Sequence, residues 1–343
     1  MKRILIIGAG VMGSALAVHL GNNGQEVNLW GTQWDKKIIE KVKSTKRHFD
    51  LDVAIPPNVI MYYEDQLEQA FKDVDLIIIA VISKGMDYIS KKINPFLESD
   101  HIILTITKGI DQDSLTTMTK LVEGSLPMEI KDKISLVKLG GPIIAKEFAN
   151  GKYTEAIFAS QNIDAAKYVS EIFKSPKFRT NISSDIDGVE ICAAFKNVYA
   201  IAMGIVEGLE GDSNNPKAAI MARGTLEMTN IVETFGGSRE TAMGIAGVGD
   251  YYVTSQGGRN GKFGRILGQG KSIQEALEIM NNATVEGISM TLNGYKLLKE
   301  LENKGKFNFK KSAPLFLEVY KVLYQGKDIR EAINNYWNGN DFE

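Results

Sequence analysis

The first 185 residues alternate short apolar runs with amphipathic stretches. The apolar runs are rich in Ile, Leu and Val, which is typical of strands buried in a parallel sheet. They are "RILIIGAG" (3–10), "EVNLWG" (26–31), "DVDLIIIAVIS" (73–83), "HIILTITKG" (101–109) and "ISLVKLGGP" (134–142). Helical patterns lie between them, as in "VMGSALAVHLGNNG" (11–24), "GMDYISKKINPFL" (85–97) and "DSLTTMTKLVEGSL" (113–126). Strands that alternate with helices predict an α/β fold with a doubly wound, mostly parallel sheet.

The pattern changes near residue 185, after the segment "KSPKFRTNISSD". Strand patterns stop there and helical periods follow. Helices are expected over residues 187–208, 216–235, 245–255, 272–282, 285–303 and 313–325. We therefore expect an α/β domain over residues 1–185 and an all-helical domain over residues 186–343.

Composition narrows the range of partners. The chain has 343 residues, of which 44% are hydrophobic and 24% charged, and this length fits two domains. The net charge of −2 gives no reason to expect a nucleic acid or an anionic membrane as partner. No membrane span is expected either, because no run approaches about 18 uninterrupted apolar residues.

The cysteine and histidine content excludes several kinds of site. Cys192 is the only cysteine, so neither an internal disulfide nor a cysteine-based metal cluster is expected, and a reducing cytoplasm fits. His19, His48 and His101 do not lie beside other candidate ligands or nucleophiles. We therefore expect no metal site and no histidine-based triad. Acid–base chemistry must then rest on carboxylates, lysines or tyrosines.

The segment "GAGVMG" contains a G-x-G-x-x-G pattern at Gly8, Gly10 and Gly13. It follows a predicted strand and opens a predicted helix, which is the context that a dinucleotide-binding turn requires. The first glycine permits the tight turn, the second lets a pyrophosphate approach the backbone, and the third allows close packing of helix and strand. The alternative is a glycine-rich turn without a ligand.

The end of the second predicted strand does not decide between NAD and NADP. An acid at this place holds the adenosine ribose of NAD, whereas an arginine accommodates a 2′-phosphate. Here Gly31, Thr32 and Gln33 stand at that point, so we expect neither an acid to reject a 2′-phosphate nor an arginine to bind one. Lys36 and Lys37 follow further along, and solvated surface lysines are the alternative for them. Coenzyme preference therefore stays open.

The other strand ends offer further candidates, since ligands of open α/β sheets bind beyond the carboxyl ends of the strands. These ends are Ser83-Lys84, Thr107-Lys108-Gly109 and Gly140-Gly141-Pro142. Lys108 is the most interesting, because it follows an apolar strand where a nicotinamide would lie. A surface lysine that begins a loop is the alternative.

Lys196 lies within the apolar helix pattern "ICAAFKNVYAIAMGI" (191–205). A lysine buried in hydrocarbon costs several kcal/mol unless it is paired or gives up its proton. It is therefore a candidate for chemistry, and the alternatives are a lysine paired with a core carboxylate or one that reaches the surface.

A glycine-rich stretch over residues 244–270 carries polar residues in a pattern that suggests anion binding. The sequence Gly257-Gly258-Arg259-Asn260 offers backbone N–H donors, a guanidinium and an amide, and Asp250 and Thr254 precede it. Such groups bind phosphate or carboxylate. The glycines make the stretch a poor candidate for core packing, and a flexible loop is the alternative.

Taken in order, these blocks resemble the NAD(P)-dependent sn-glycerol-3-phosphate dehydrogenase family, and the resemblance runs nearly end to end. It rests on "GAGVMGSALA" (8–17), "TKG" (107–109), "GGPIIAKE" (140–147), "EICAAFKNVYAIAMGI" (190–205), "NNPKAAIMARGTLEM" (214–228), "GVGDYYVT" (247–254), "GRNGKFG" (258–264) and "VEGI" (285–288). The order and spacing of the blocks are more specific than any one of them.

The resemblance implies a fold, an activity and an assembly. The fold would be an N-terminal Rossmann domain joined to an all-helical C-terminal domain, as in 6-phosphogluconate-dehydrogenase-like proteins. The activity would be interconversion of dihydroxyacetone phosphate and glycerol 3-phosphate with NAD or NADP and without a metal. The protein would be a cytoplasmic homodimer with a small phosphorylated substrate.

The resemblance also implies residue roles. Lys196 would be the general acid and base, Lys108 a second active-site lysine touching substrate and cofactor, and Asp250 a contact of the substrate or of Lys196. Arg259 and Asn260 would hold the phosphate. Further substrate contacts would come from Gly141, Thr254 and Gly258, and cofactor contacts from Gly8, Gly10, Val11, Met12, Gly13, Lys108, Ala145, Arg259 and Glu286.

A lysine acts as an acid near neutral pH only if its pKa falls below the ~10.4 that it has in water. Burial of Lys196 against Phe195, Val198 and Tyr199 would lower its pKa, and a like-charged Lys108 nearby would lower it further. Asp250 would oppose this shift and hold the amine in place.

The chain departs from the family pattern at two places. Ile143 stands where the family usually has a hydroxyl residue, and Gly258 where it often has serine. Two lost hydroxyls would make the pocket less polar, so another phosphorylated polyol is the alternative substrate. A cofactor-binding redox sensor without turnover is the alternative from another functional class.

Overall fold

The computed structural model describes residues 3–339, and the chain forms two compact units. The first contains the residues up to Lys108 together with Met118–Ile186, and the second contains Gly109–Thr117 together with the residues from Asp187 onwards. A short segment from the first half of the sequence therefore belongs to the second unit.

The first unit is built on an eight-stranded sheet and a separate two-stranded hairpin. The strands are β1 Arg3–Ile7, β2 Val27–Trp30, β3 Arg47–His48, β4 Val53–Ala54, β5 Val59–Tyr62, β6 Val74–Ile79, β7 Ile102–Thr105, β8 Ser135–Gly140, β9 Thr154–Ala159 and β10 Phe178–Ser183. The strand order in the sheet is β10-β9-β8-β7-β6-β1-β2-β5, and all neighbours are parallel except β8 and β9. The hairpin pairs β3 with β4.

Helices cover both faces of this sheet. Successive side chains of β1 alternate between two apolar cores: Ile4 and Ile6 belong to one, and Leu5 and Ile7 to the other. This is the burial expected of a central parallel strand and confirms the predicted doubly wound sheet. The helices are α1 Val11–Asn22, α2 Lys36–Thr45, α3 Leu67–Ala70, α4 Met86–Ile93, α5 Met118–Ser125, α6 Ala145–Ala149 and α7 Ile163–Phe173.

In its described part from residue 187 to residue 339, the second unit contains helices and no strand, as predicted. Its helices are α8 Ile186–Glu210, α9 Asn214–Thr234, α10 Arg239–Met243, α11 Asp250–Ser255, α12 Arg259–Gly268, α13 Ile273–Ile279, α14 Glu286–Asn303, α15 Phe309–Ser312, α16 Pro314–Gln325 and α17 Ile329–Asn338. A π-helical turn, Ile245–Gly249, leads into α11.

The helix that carries Lys196 is the buried centre of the second unit. Over residues 3–339, α8 is the one helix long and apolar enough by length and composition to cross a membrane. Its apolar window is entirely buried inside the protein. A helix that is hydrophobic on all sides belongs in such an interior.

The glycine-rich stretch is where the sequence interpretation was wrong. Residues 259–268 form the regular helix α12, which packs directly on α8. A Cβ at Gly264 would lie 2.1 Å from the carbonyl oxygen of Ile201, and one at Gly204 would lie 2.1 Å from that of Gly261. Gly208 and Gly268 make equally close approaches along the same crossing. The glycines therefore let two backbones touch, and they are core residues.

Candidate active site

The predicted dinucleotide turn joins β1 to α1 and has the geometry that the glycine pattern requires. Gly8 has φ +107°, which favours glycine, and a Cβ at Gly13 would lie 1.9 Å from the carbonyl oxygen of Gly8. At Gly10, by contrast, a Cβ would meet no atom within 4 Å. The turn is thus closed on the protein side and open on the outer side, where a pyrophosphate fits.

The start of α1 also fits an anion. Its N-cap is Gly10, whose position has no side-chain hydrogen bond to the first turn. Backbone N–H groups at a helix start bind phosphate. Val11 is 41% exposed and Met12 is partly buried, so both predicted cofactor contacts lie at this open end.

The adenosine end of the turn shows an acid that the sequence pattern did not reveal. Asp35, five residues beyond the end of β2, folds back so that its Oδ2 accepts from Thr32 N and Thr32 Oγ1 at 2.8 Å each. The same oxygen accepts from Ala9 N, between the first two glycines, at 3.3 Å. Of the two tryptophans nearby, Trp30 is buried in the core, whereas Trp34 is 73% exposed.

Lys108 follows a strand end that is fixed by hydrogen bonds. The hydroxyl of Thr107 donates to the carbonyl oxygen of Val81 at 2.7 Å, and Nζ of Lys138 donates to the carbonyl oxygen of Thr107. Lys138 is itself only 1% exposed. Gly109, with φ +129°, then turns the chain, and Lys108 is partly buried. The sequence gives no sign of the role of Lys138, because it occurs within an otherwise ordinary strand.

The segment after β8 contains two predicted contacts. Gly141 has φ +120°, and a Cβ there would lie 3.2 Å from the carbonyl oxygen of Glu155. Ala145, the first residue of α6, is partly buried. Ile143, which departs from the family pattern, packs against the apolar core of the first unit.

In the second unit, Lys196 is held by two side chains from α11. Its Nζ donates to Asp250 Oδ1 at 2.6 Å and to Thr254 Oγ1 at 2.5 Å. The side chains of Lys196 and Asp250 are 4% and 3% exposed. The alternative of a lysine that reaches the surface is therefore wrong. Asp250 supplies the negative charge that a buried ammonium requires.

The π-helical turn before α11 positions Asp250. A Cβ at Gly247 would lie 1.8 Å from the carbonyl oxygen of Ala242, so the turn is packed on α10 by its backbone. π-turns are rare and are often found at functional sites. Here the turn ends at Gly249, one residue before the carboxylate that faces Lys196.

Asn260 joins three helices. Its Nδ2 donates to Asn197 Oδ1 at 2.9 Å, and its Oδ1 accepts from Gly287 N at 2.9 Å. Asn197 follows Lys196 on α8, and Gly287 follows Glu286 at the start of α14. Asn260 is buried, and its amide holds the starts of α12 and α14 against the middle of α8.

Arg259 begins α12 at the protein surface. Its side chain is 56% exposed, and NH2 lies 3.9 Å from Glu286 Oε1. Gly258, the N-cap of the helix, has no side-chain cap bond, and a Cβ there would lie 2.8 Å from the carbonyl oxygen of Thr254. The local backbone therefore explains why glycine occupies this position, and the helix start offers N–H groups beside a guanidinium.

A buried carboxylate that the sequence pattern does not reveal lies on α9, the helix that packs against the Lys196 helix. Glu227 on α9 accepts from Leu315 N at 2.7 Å and from Phe316 N at 3.0 Å, at the start of α16. Burial raises the pKa of Glu227 to about 8, although the two backbone donors oppose this shift. The sequence around Glu227 mixes polar and apolar residues in a helical pattern, and this pattern does not indicate that the carboxylate is buried.

The predicted residues thus collect at two sites, one in each unit. Those in the first unit lie at the glycine turn or beyond the ends of β7 and β8. Those in the second lie on α8 and α11 and at the starts of α12 and α14. In the chain from residue 3 to residue 339, no cluster of three or more His, Cys, Asp or Glu side chains could hold a metal.

Two family models match the chain. Residues 3–166 match the N-terminus of NAD-dependent glycerol-3-phosphate dehydrogenase, and residues 185–334 match its C-terminus.

Individual relatives match over nearly the full length. The NADP(+)-dependent glycerol-3-phosphate dehydrogenase of Archaeoglobus fulgidus is 34% identical over 338 residues, covering 96% of this chain and 97% of the relative. A glycerol-3-phosphate dehydrogenase [NAD(P)+] of Fusobacterium nucleatum is 35% identical over 340 residues, covering 97% and 96%. The crystal structure of glycerol-3-phosphate dehydrogenase from Coxiella burnetii superposes with a TM-score of 0.85 at 28% identity, covering 98% and 99%.

Proposed function

The chain belongs to the NAD-dependent glycerol-3-phosphate dehydrogenase family, and we propose that Lys196 is the general acid and base of its reaction. The protein is an oxidoreductase that interconverts dihydroxyacetone phosphate and glycerol 3-phosphate with NAD or NADP. The observation that carries the proposed role is the buried contact of Lys196 with Asp250 and Thr254.

Reduction of the ketone requires a proton donor at the carbonyl oxygen. When bound, the reduced coenzyme supplies the hydride that goes to the carbonyl carbon. The ammonium of Lys196 donates a proton to the oxygen, which becomes the hydroxyl of the product, and the lysine is left as an amine. In the reverse direction the amine takes the hydroxyl proton.

Asp250 and Thr254 keep the amine ready for this transfer. The carboxylate stabilises the ammonium before the proton leaves, and both oxygens fix the direction of the side chain at 2.6 and 2.5 Å. A donor fixed in advance stabilises the developing oxyanion without reorganisation. Lys108 is proposed as a second positive group for the same oxyanion and for the coenzyme.

The phosphate of the substrate is assigned to the start of α12. Arg259 offers an exposed guanidinium, and the helix start after Gly258 offers backbone N–H groups. Asn260 already donates one N–H to Asn197, so its main contribution is to fix this helix start relative to the Lys196 helix. Gly141 is proposed as a further substrate contact.

The coenzyme is assigned to the first unit. Gly8, Gly10 and Gly13 with Val11 and Met12 would hold the pyrophosphate, and Lys108 and Ala145 would lie further along the same sheet edge. Arg259 and Glu286 are proposed as the coenzyme contacts of the second unit. Homodimeric assembly and a cytoplasmic location stay predictions.

An assay with two coenzymes tests the proposal. Dihydroxyacetone phosphate is incubated with NADH and, in parallel, with NADPH, and coenzyme absorbance is followed for the wild type and for Lys196→Ala. We expect Lys196→Ala to lower kcat by at least ~100-fold, the scale of a lost acid–base group. Coenzyme binding, measured by fluorescence titration, should stay near that of the wild type. Wild-type turnover in the variant would remove Lys196 from the proposed role.

A further inference from the structure

The carboxylate of Asp35 lies against the glycine turn, although the sequence places it beyond the strand end. The short 3-10 turn Gln33–Asp35 follows β2 and reverses the chain. Gly31 permits this reversal, because a Cβ there would lie 3.0 Å from Asp35 Cβ and 2.4 Å from Ile39 Cδ1. The result is the hydrogen bond from Ala9 N to Asp35 Oδ2 at 3.3 Å.

Within residues 3–339, hydrogen bonds reach only one oxygen of this carboxylate. Oδ2 accepts all three hydrogen bonds, from Ala9 N, Thr32 N and Thr32 Oγ1. Asp35 is partly exposed, and Oδ1 makes no hydrogen bond or ion pair with residues 3–339. Oδ2 therefore locks the carboxylate in place while Oδ1 keeps its capacity to accept.

We propose that Asp35 makes this enzyme prefer NAD(H) over NADP(H). In sheets of this class the adenosine ribose lies at the end of the second strand, where a carboxylate accepts from the ribose hydroxyls. A 2′-phosphate at the same place brings negative charge to a fixed carboxylate and replaces a hydrogen-bond donor with acceptors. The inference rests on the proposed dinucleotide site of the first unit.

The nearby lysines do not offset this carboxylate. Lys36 and Lys37 are exposed on α2, and Lys36 Nζ lies 4.0 Å from Glu40 Oε1. Lys41 and Lys43 lie over the rings of Phe49 and Tyr63, with Nζ 3.8 and 4.0 Å from the ring centroids. No arginine occurs between residue 31 and residue 46. The charge fixed at the glycine turn is therefore negative.

Family membership does not decide this preference. The relative from Archaeoglobus fulgidus is named NADP(+)-dependent, whereas the one from Bacillus pumilus is named [NAD(P)+]. The names of the relatives therefore leave the coenzyme preference of this chain to its own residues at the glycine turn, and Asp35 is the acid there.

Binding of two coenzyme fragments tests the proposal without turnover. ADP-ribose and 2′-phospho-ADP-ribose are titrated into the full chain by calorimetry, for the wild type, Asp35→Asn and Glu68→Gln. Glu68 is an exposed acid of the same unit, so its variant removes equal charge elsewhere. We expect the wild type and Glu68→Gln to bind ADP-ribose at least ~10-fold more tightly, and Asp35→Asn to lose most of this ratio.

Each contrary result has a distinct meaning. Equal or tighter binding of the phosphorylated fragment by the wild type overturns the preference and leaves the dinucleotide site standing. An unchanged ratio in Asp35→Asn removes Asp35 as its cause. Failure of both fragments to bind the wild type overturns the dinucleotide site together with the preference. The wild-type ratio needs no variant, so the test does not depend on how Asp35→Asn folds.

Discussion

The amine of Lys196 lies 2.6 Å from a carboxylate oxygen of Asp250, and neither side chain is more than 4% exposed. A buried pair of this kind is costly to break, because removal of one partner leaves an uncompensated charge. The same pair is proposed to serve catalysis. Stability and chemistry therefore depend on the same two residues, and a pair of variants can separate them.

Lys196→Met should destabilise the fold by about 3–5 kcal/mol, since Asp250 loses the buried ammonium with which it forms an ion pair. The double variant Lys196→Met/Asp250→Leu removes both charges and should regain most of the lost free energy of unfolding in urea titrations. Its kcat should stay as low as that of Lys196→Met. Recovery of turnover in the double variant would contradict the proton-transfer role.

Arg259→Ala should raise KM for dihydroxyacetone phosphate more than it lowers kcat, because its guanidinium is assigned to the non-reacting phosphate. Arg265→Ala is the matched control. Arg265 lies on the same helix, is 48% exposed and pairs with Glu207 at 2.7 Å. Steady-state kinetics should show a change in KM for the first variant only, and an equal KM in both variants would place the phosphate elsewhere.

Features of the fold that are determined by neighbouring residues could be predicted from the sequence, whereas features that depend on contacts distant in sequence could not. The turn at Gly8 and the strands β1, β2, β6, β7 and β8 follow from short-range rules, so their places were predicted correctly, whereas β5 and β9 were not predicted. The polar edge strand β10 was missed, because Phe178 is its only fully buried residue. Helix α12 was missed because each glycine disfavours a helix by about 1 kcal/mol, and the compensating contact with α8 is distant in sequence.

The residues of the candidate site also differ in whether their roles follow from local sequence or from distant contacts. Lys196 was found because a charge within an apolar helix is visible in the sequence, and its partner Asp250 came from the family pattern. Asp35 was missed because its role depends on a turn that reverses the chain after β2. Glu227 was missed because nothing in its neighbourhood signals that the carboxylate is buried.

Gly264→Ala should impair both stability and turnover, since its Cβ would lie 2.1 Å from the carbonyl oxygen of Ile201. The new Cβ would meet backbone and not a movable side chain, so α12 and α8 must separate. This separation should cost about 1–3 kcal/mol of folding free energy. That movement displaces Asn260 from Asn197 and changes kcat. Gly124→Ala is the control, because a Cβ there meets no atom within 4 Å. The melting temperature should fall for Gly264→Ala alone. Equal melting temperatures in the two variants would exclude the close crossing of α12 and α8.

Glu227 should give the fold a specific pH dependence. Burial raises its pKa to about 8, whereas an unfolded glutamate titrates near 4.5. Between these values the folded state holds a proton that the unfolded state has lost, so raising the pH weakens folding, by at most about 1.4 kcal/mol per pH unit. Tyr199 and Tyr251 have raised pKa values and do not titrate in this range.

The measurement is the free energy of unfolding in urea at several pH values from about 5 to about 8. It should fall with pH in the wild type and fall less steeply in Glu227→Gln, which cannot ionise but keeps an oxygen that can accept from Leu315 N or Phe316 N. Glu233→Gln is the control, since Glu233 lies on the same helix with its side chain 45% exposed. The control should keep the wild-type slope. If Glu227→Gln keeps that slope as well, Glu227 is ionised throughout, and the two backbone donors outweigh the burial of the carboxylate.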